Sequence, residues 1–157
     1  MAPSQTLSIR RIVLLSALRL SMIWDLITTF VGTILILNTA NAISYGIALI
    51  GTLIVVAFNF TTRDIWSRRS ARSGLGVQLW LLKIVWVMAI LVDLWTSLTC
   101  NAWFITENRP SGTMDLRVLL STLSIGQAVI VLFVTIITAV SPMLVGHLRD
   151  QDIDFLR

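Results

Sequence analysis

Four apolar segments, each about as long as a membrane-crossing helix, constrain this chain more than any other feature of its sequence. A helix rises about 1.5 Å per residue, so roughly 20 apolar residues cross a hydrocarbon core about 30 Å thick. Helices also satisfy their own backbone hydrogen bonds, which lipid cannot do. The chain is therefore predicted to be an all-α integral membrane protein with four transmembrane helices in a bundle. The predicted spans cover residues 20–37, 42–60, 84–104 and 118–140.

The overall composition agrees with a chain that folds in lipid. A soluble domain has roughly 25% charged residues, whereas this chain has 13% charged and 56% hydrophobic residues, with a mean hydropathy of +0.87. Four spans and their connections use most of the 157 residues. One membrane domain over residues 1–157 is therefore predicted, without a soluble module.

The connections between the spans predict two helical hairpins. Residues 38–41 are uncharged and turn-forming, which predicts a tight hairpin between the first two spans. Residues 105–117 contain a strong turn signal between the last two spans. A basic loop, residues 61–83, separates the hairpins, and a short acidic tail, residues 146–157, ends the chain.

The basic residues divide unevenly between the two sides of the membrane. The net charge of +4 would suggest nucleic acid in a soluble protein, but here most of the charge lies just outside apolar segments, where it indicates topology. Only Arg109 and Arg117 fall on the side of the 105–117 connection. By the positive-inside rule, both termini and the 61–83 loop are predicted to be cytoplasmic. The ten residues on that side are Arg10, Arg11, Arg19, Arg63, Arg68, Arg69, Arg72, Lys83, Arg149 and Arg157.

Two carboxyl groups lie inside predicted spans. Asp25 is in the first span and Asp93 is in the third, and an ionised acid at the centre of a span costs roughly 2.5–3.5 kcal/mol on the insertion scale. One interpretation makes Asp93 a cation or proton site, with Asp25 as a second candidate. The other makes both acids structural, with hydrogen bonds to neighbouring Ser, Thr or Asn side chains. The sequence leaves both interpretations open.

Each predicted span carries one polar stripe, because residues three or four positions apart share a helix face. Four stripes predict one shared polar interior, whose candidate residues beside the two acids are Ser97, Asn101 and Gln127. The sequence does not distinguish a dry, hydrogen-bonded interior from a water-filled path. The stripes consist of Ser21, Asp25, Thr28 and Gly32; Asn41, Ser44, Ala48, Thr52 and Asn59; Ala89, Asp93, Ser97, Cys100 and Asn101; and Ser121, Ser124, Gln127, Thr135 and Thr138.

Small residues recur four positions apart, a spacing that lets helices approach closely. Gly32 follows Thr28, and Gly46 follows Ala42. Gly32, Ala42 and Gly46 are therefore predicted helix-packing positions, either inside the hairpin or between copies of the protein. The protein is expected to form a homo-oligomer.

Short sequence matches suggest that the two hairpins arose by duplication. Residues 23–29 resemble residues 91–97, and residues 44–48 resemble residues 124–128. Such a duplication would relate the hairpins as a parallel pseudo-repeat.

The loop and the tail offer interaction surfaces outside the spans. Arg63, Arg68, Arg69 and Arg72 are predicted to contact anionic lipid headgroups, each contributing about 1 kcal/mol near the surface. A cytoplasmic protein partner is a further candidate for the 61–83 loop or the 146–157 tail. No nucleic-acid partner is expected.

The sequence contains no enzyme motif: neither a nucleophile signature nor a phosphate loop is present. Cys100 is the single cysteine and His147 is the single histidine. The sequence therefore excludes an intrachain disulfide and argues against a zinc site. We expect no catalytic activity, cofactor or metal.

Three functional hypotheses follow. The leading one is a non-enzymatic, self-assembling membrane unit that acts as a pore-like channel for ions, as an effector, or as an embedded subunit of a larger complex. The second is a small cation- or proton-coupled transporter that uses Asp93. The third is a membrane scaffold that recruits cytoplasmic partners.

Overall fold

A computed structural model describes residues 9–39, 41–66, 76–106 and 116–154. Four of its helices contain stretches long and apolar enough to cross a membrane, namely Val13–Leu37, Ala42–Thr62, Gly76–Ile105 and Ile125–Val145. The all-α, four-span prediction is therefore confirmed. The described residues form helices α1 (Ile9–Leu37), α2 (Ala42–Trp66), α3 (Gly76–Ile105), α4 (Leu116–Thr122) and α5 (Ile125–Asp154), and no strand.

The first hairpin is built by two asparagines at its turn. Asn38 has a φ of 50°, in the left-handed region that Asn tolerates better than most residues, and its N–H donates to the carbonyls of Ile34 and Leu35 at 3.1 and 3.2 Å. Asn41 caps α2, because its side-chain oxygen accepts from the Ser44 backbone N–H at 2.8 Å. Local side-chain chemistry thus ends α1 and begins α2, as the sequence predicted.

The last span begins later than predicted. The sequence suggests one continuous span over 118–140, but α4 ends at Thr122 and α5 begins at Ile125. The Ser124 backbone N–H donates to Gln127 Oε1 at 2.9 Å, and the Gln127 backbone N–H donates to Ser124 Oγ at 3.3 Å. This reciprocal pair is a capping box, which starts a new helix. The apolar span is therefore Ile125–Val145, and α5 continues to Asp154.

The distribution of side chains is that of a protein surrounded by lipid. Among the described residues, 14 buried side chains are polar or charged and nine are hydrophobic, while large apolar side chains cover the exterior. A soluble protein buries mainly apolar residues. The bundle is therefore held by interhelical hydrogen bonds and close packing, which are the forces available between helices in a membrane.

Helices α1 and α3 approach each other closely at Gly32. A Cβ atom added at Gly32 would overlap the backbone carbonyl of Thr96. Close by, Thr28 pairs with Ser97 and Thr29 pairs with Asp93. The first and third helices therefore meet at a glycine, next to the buried acid of α3.

Candidate functional site: a buried polar cluster

Asp93 is the centre of the polar interior. Its side chain is fully buried. Thr29 Oγ1 of α1 donates to Asp93 Oδ1 at 2.6 Å, and Asn59 Nδ2 of α2 donates to Asp93 Oδ2 at 3.0 Å. The carboxyl group of α3 therefore joins three helices, and each of its oxygens accepts one hydrogen bond.

A short chain of hydroxyl groups leads to Asp93. Thr28 Oγ1 lies 2.9 Å from Ser97 Oγ, and Ser97 Oγ lies 3.2 Å from Thr29 Oγ1. Each hydroxyl carries one hydrogen. Because Thr29 donates its hydrogen to Asp93, Ser97 must donate to Thr29 for that contact to be a hydrogen bond. Thr28 can then donate to Ser97 only when its hydrogen does not go to the Asp25 backbone carbonyl, which lies 3.0 Å from Thr28 Oγ1. The Thr28 hydrogen therefore has two alternative acceptors. With Ser97 as the acceptor, the donors run from Thr28 through Ser97 and Thr29 to Asp93, whereas with the Asp25 carbonyl as the acceptor one of the two Ser97 contacts lacks a hydrogen.

Asp25 belongs to the same cluster. It is 1% exposed and lies one helical turn before Thr28 and Thr29 on α1. Thr28 Oγ1 lies 3.0 Å from the backbone carbonyl of Asp25, which places this residue beside the hydroxyl groups of the cluster. Asp25 is the middle residue of the apolar stretch Val13–Leu37, and Asp93 lies near the middle of Gly76–Ile105. Both acids therefore lie deep within their spans.

The cluster has more acceptors than donors. Asp25 Oδ1 and Asn59 Oδ1 are buried without a hydrogen-bond partner. Within the described part of the chain, neither acid is ion-paired with a basic side chain: Arg19 is exposed, and Lys83 lies over the Trp66 ring. An unpaired buried acceptor costs about 1–3 kcal/mol. The two unpaired oxygens of the cluster are therefore able to bind a proton or a cation.

A second polar link lies further along α3. Trp24 Nε1 donates to Asn101 Oδ1 at 3.1 Å, and Asn101 Nδ2 donates to Thr135 Oγ1 at 2.9 Å. Thr135 passes its own hydrogen to the Val131 carbonyl at 2.8 Å. Asn101 therefore connects α1, α3 and α5. The last donor of this link, Thr135, bonds to a backbone carbonyl of its own helix.

The structure brings most of the predicted polar-core residues together. Asp25, Asp93 and Ser97 form the cluster, and Asn101 forms the neighbouring link. Gln127 lies apart from them, because it is exposed and caps the start of α5. Within one copy of the chain, the Gln127 side chain therefore belongs to the capping box and not to the polar cluster.

The predicted packing residues differ in their surroundings. Gly32 is buried against α3, whereas no atom of a neighbouring helix lies within 4 Å of a Cβ added at Gly46, and Ala42 is exposed. Only Gly32 therefore makes a close helix contact within one copy of the chain.

Of the four residues predicted to contact lipid headgroups, the structure describes only one. Arg63 lies in α2, while Arg68, Arg69 and Arg72 lie outside the described residues. The predicted loop 61–83 is shorter in the structure, because α2 continues to Trp66 and α3 starts at Gly76. The predicted tail 146–157 is helical as far as Asp154.

The sequence reasoning missed Thr29, which donates to Asp93. Thr29 is four residues after Asp25, so helical spacing places it on the same face. Asn59 was recognised as part of a stripe but not as a partner of Asp93. Helical spacing could have found Thr29, whereas the pairing with Asn59 depends on how α2 packs against α3.

The described residues contain no group of three His, Cys, Asp or Glu side chains arranged to hold a metal ion. The cluster instead offers carboxylate, amide and hydroxyl oxygens, which are ligands for protons and hard monovalent cations. The fold and this site define the class: a small helical protein with four membrane-span-like helices and a buried acidic cluster. Comparison with protein families, curated proteins and solved structures yields no match.

Proposed function

We propose that the protein is a small proton- or cation-coupled transport unit in which Asp93 carries the ion. The observation behind this proposal is that two buried acids share one cluster in which two acceptor oxygens lack donors. Two ionised carboxylates at this depth would cost several kcal/mol, since each costs roughly 2.5–3.5 kcal/mol. A bound proton or cation removes much of that cost and also satisfies an acceptor.

The hydroxyl chain favours a proton over a larger ion. When Thr28 donates to Ser97 rather than to the Asp25 backbone carbonyl, Ser97 donates to Thr29 and Thr29 donates to Asp93. When Asp93 takes up a proton, it becomes a donor, and the direction of the chain can reverse.

The test is ion flux in proteoliposomes that contain purified protein. Proton flux is followed with an internal pH dye, and cation flux with radioactive sodium. We expect the wild type to conduct one of these ions and Asp93→Asn to lose at least 90% of that flux, an order-of-magnitude effect expected when the charged group of an ion path is neutralised. Asn keeps the shape of the side chain, so the fold should persist.

The matched control is Thr99→Val on the same helix. Thr99 is fully buried, but its hydroxyl bonds to the Trp95 carbonyl of its own helix, outside the cluster. It should therefore retain flux. Equal flux in wild type and Asp93→Asn, or none in either, at unchanged thermal stability would remove Asp93 from the function and favour the scaffold hypothesis.

We also propose that the protein self-associates through α2. Gly46 has empty space beside it, and Ala42, four residues earlier on the same helix face, is exposed. Small residues on an outer helix face allow a second helix to approach closely. A second copy of the chain would fill this space.

Gly46→Leu should weaken assembly, because the larger side chain holds the second helix away. The measurement is the oligomer distribution by cross-linking in nanodiscs, with Val129→Leu on the exposed face of α5 as the control. A monomer across detergents and nanodiscs would contradict self-association while leaving the Asp93 proposal intact.

A further inference from the structure

A groove lies where α2 ends and α3 begins, on the outside of the bundle. Its volume is about 350 Å³. Trp80, Ile84 and Met88 are spaced four residues apart, so they line one face of α3 over two helical turns, roughly 12 Å in length. The groove is lined by Trp66, Trp80, Lys83, Ile84, Val87 and Met88.

A single positive charge is held in this otherwise apolar groove. Lys83 Nζ lies 4.8 Å from the centroid of the Trp66 ring, a cation–π contact. Within the described residues, no carboxylate forms an ion pair with Lys83. The ammonium group therefore keeps hydrogen atoms for an anionic ligand.

The Trp66 ring that contacts Lys83 is held in place by its own neighbours. The rings of Trp66 and Trp86 meet edge to face with centroids 5.4 Å apart. Trp86 Nε1 also donates to Thr62 Oγ1 at 2.9 Å, which ties α3 to α2. The groove is thus a formed feature of the α2–α3 contact.

We infer that this groove binds an anionic phospholipid from the surrounding bilayer. Lys83 would contact the phosphate region, and an acyl chain would lie along Trp80, Ile84 and Met88. An anionic phospholipid fits this groove because the groove has one cation at one end and is otherwise apolar. Indole rings prefer the level of the headgroups, which fits Trp66 and Trp80. The residues of the groove are separate from the Asp93 cluster, so this inference does not depend on the transport proposal.

The test is native mass spectrometry of the purified protein with equal amounts of dioleoyl phosphatidylglycerol and dioleoyl phosphatidylcholine. We expect the wild type to retain the anionic lipid preferentially. Lys83→Gln should lower that preference about fivefold, the effect of losing one basic contact near an anionic headgroup. Lys83→Arg should restore it.

The matched control is Arg19→Gln, which removes the same charge from an exposed side chain that does not line the groove. It should bind both lipids as the wild type does. Equal retention of the two lipids by the wild type would overturn the inference without any variant. Equal losses in Lys83→Gln and Arg19→Gln would also overturn it, because they would indicate a general effect of charge.

A second measurement separates lipid from a second copy of the chain. Brominated phosphatidylglycerol should quench tryptophan fluorescence more than brominated phosphatidylcholine does, and Trp80→Phe should reduce the difference. Efficient disulfide cross-linking between copies that carry Met88→Cys would show that protein covers the groove, and would overturn the lipid assignment.

Discussion

Replacing Gly32 with Ala tests the central contact of the fold. The added Cβ would overlap the backbone carbonyl of Thr96, and Gly32 is buried between α1 and α3. A clash with a flexible side chain is relieved by rotation, but a clash with backbone requires one helix to move. The substitution should therefore separate α1 from α3.

The magnitude follows from two opposing terms. Overpacking a close contact costs typically 1–3 kcal/mol and sometimes more, and a backbone clash belongs at about 3 kcal/mol or above. Replacing Gly with Ala inside a helix gains about 1 kcal/mol in helix propensity. We therefore expect Gly32→Ala to lower the free energy of unfolding by about 2 kcal/mol or more.

The assay is reversible unfolding in mixed micelles, followed by circular dichroism. Gly51→Ala is the matched control, because Gly51 is also helical and an added Cβ there meets no atom of a neighbouring helix within 4 Å. It should gain up to about 1 kcal/mol of stability. The reasoning is refuted if Gly32→Ala is as stable as the wild type, or if both variants lose stability equally.

Three further predictions concern other parts of the bundle. Asn101→Ala breaks two interhelical hydrogen bonds, each worth about 0.6 kcal/mol and at most about 1.7 kcal/mol, so unfolding in micelles should become about 1–3 kcal/mol easier. Ser124→Ala removes one half of the capping box at the start of α5 and should cost about 1 kcal/mol; faster amide exchange in the first turn of α5 would report it. Cysteines introduced at Ser4 and Gln151 should resist an impermeant thiol reagent in intact cells, and labelling from outside would contradict the predicted topology.

Local signals in the sequence were sufficient for the first turn. Asn38 and Asn41 end one helix and begin the next through bonds to residues within four positions. The capping box at Ser124 and Gln127 is equally local and readable as a sequence pattern. The apolar residues on both sides of this capping box nevertheless make 118–140 look continuous in hydropathy. The boundary between α4 and α5 therefore falls inside the predicted span.

The close contact at Gly32 and the partners of Asp93 depend on tertiary packing, which the sequence pattern does not specify. Gly32 and Gly46 have the same small-residue spacing, yet one contacts a backbone carbonyl and the other faces open space. Similarly, helical spacing identified the face of α3 that contains Asp93, but not that Asn59 would donate to it. Such pairings depend on the angle and offset between helices, which no single helix encodes.

The close packing at Gly32 and the polar cluster depend on each other. Gly32 lies one turn after Thr28 and Thr29 on α1, and Thr96 lies beside Ser97 on α3. The hydroxyl contacts between these helices are 2.6 to 3.2 Å long, and hydrogen bonds weaken steeply when donor and acceptor move apart. A shift of even 1 Å, forced by a Cβ at position 32, would therefore break the order of donors that ends on Asp93. Gly32→Ala should consequently reduce ion flux in molecules that remain folded, whereas Gly51→Ala should not. Normal flux in a correctly inserted Gly32→Ala protein would mean that the hydroxyl chain is not part of the ion path.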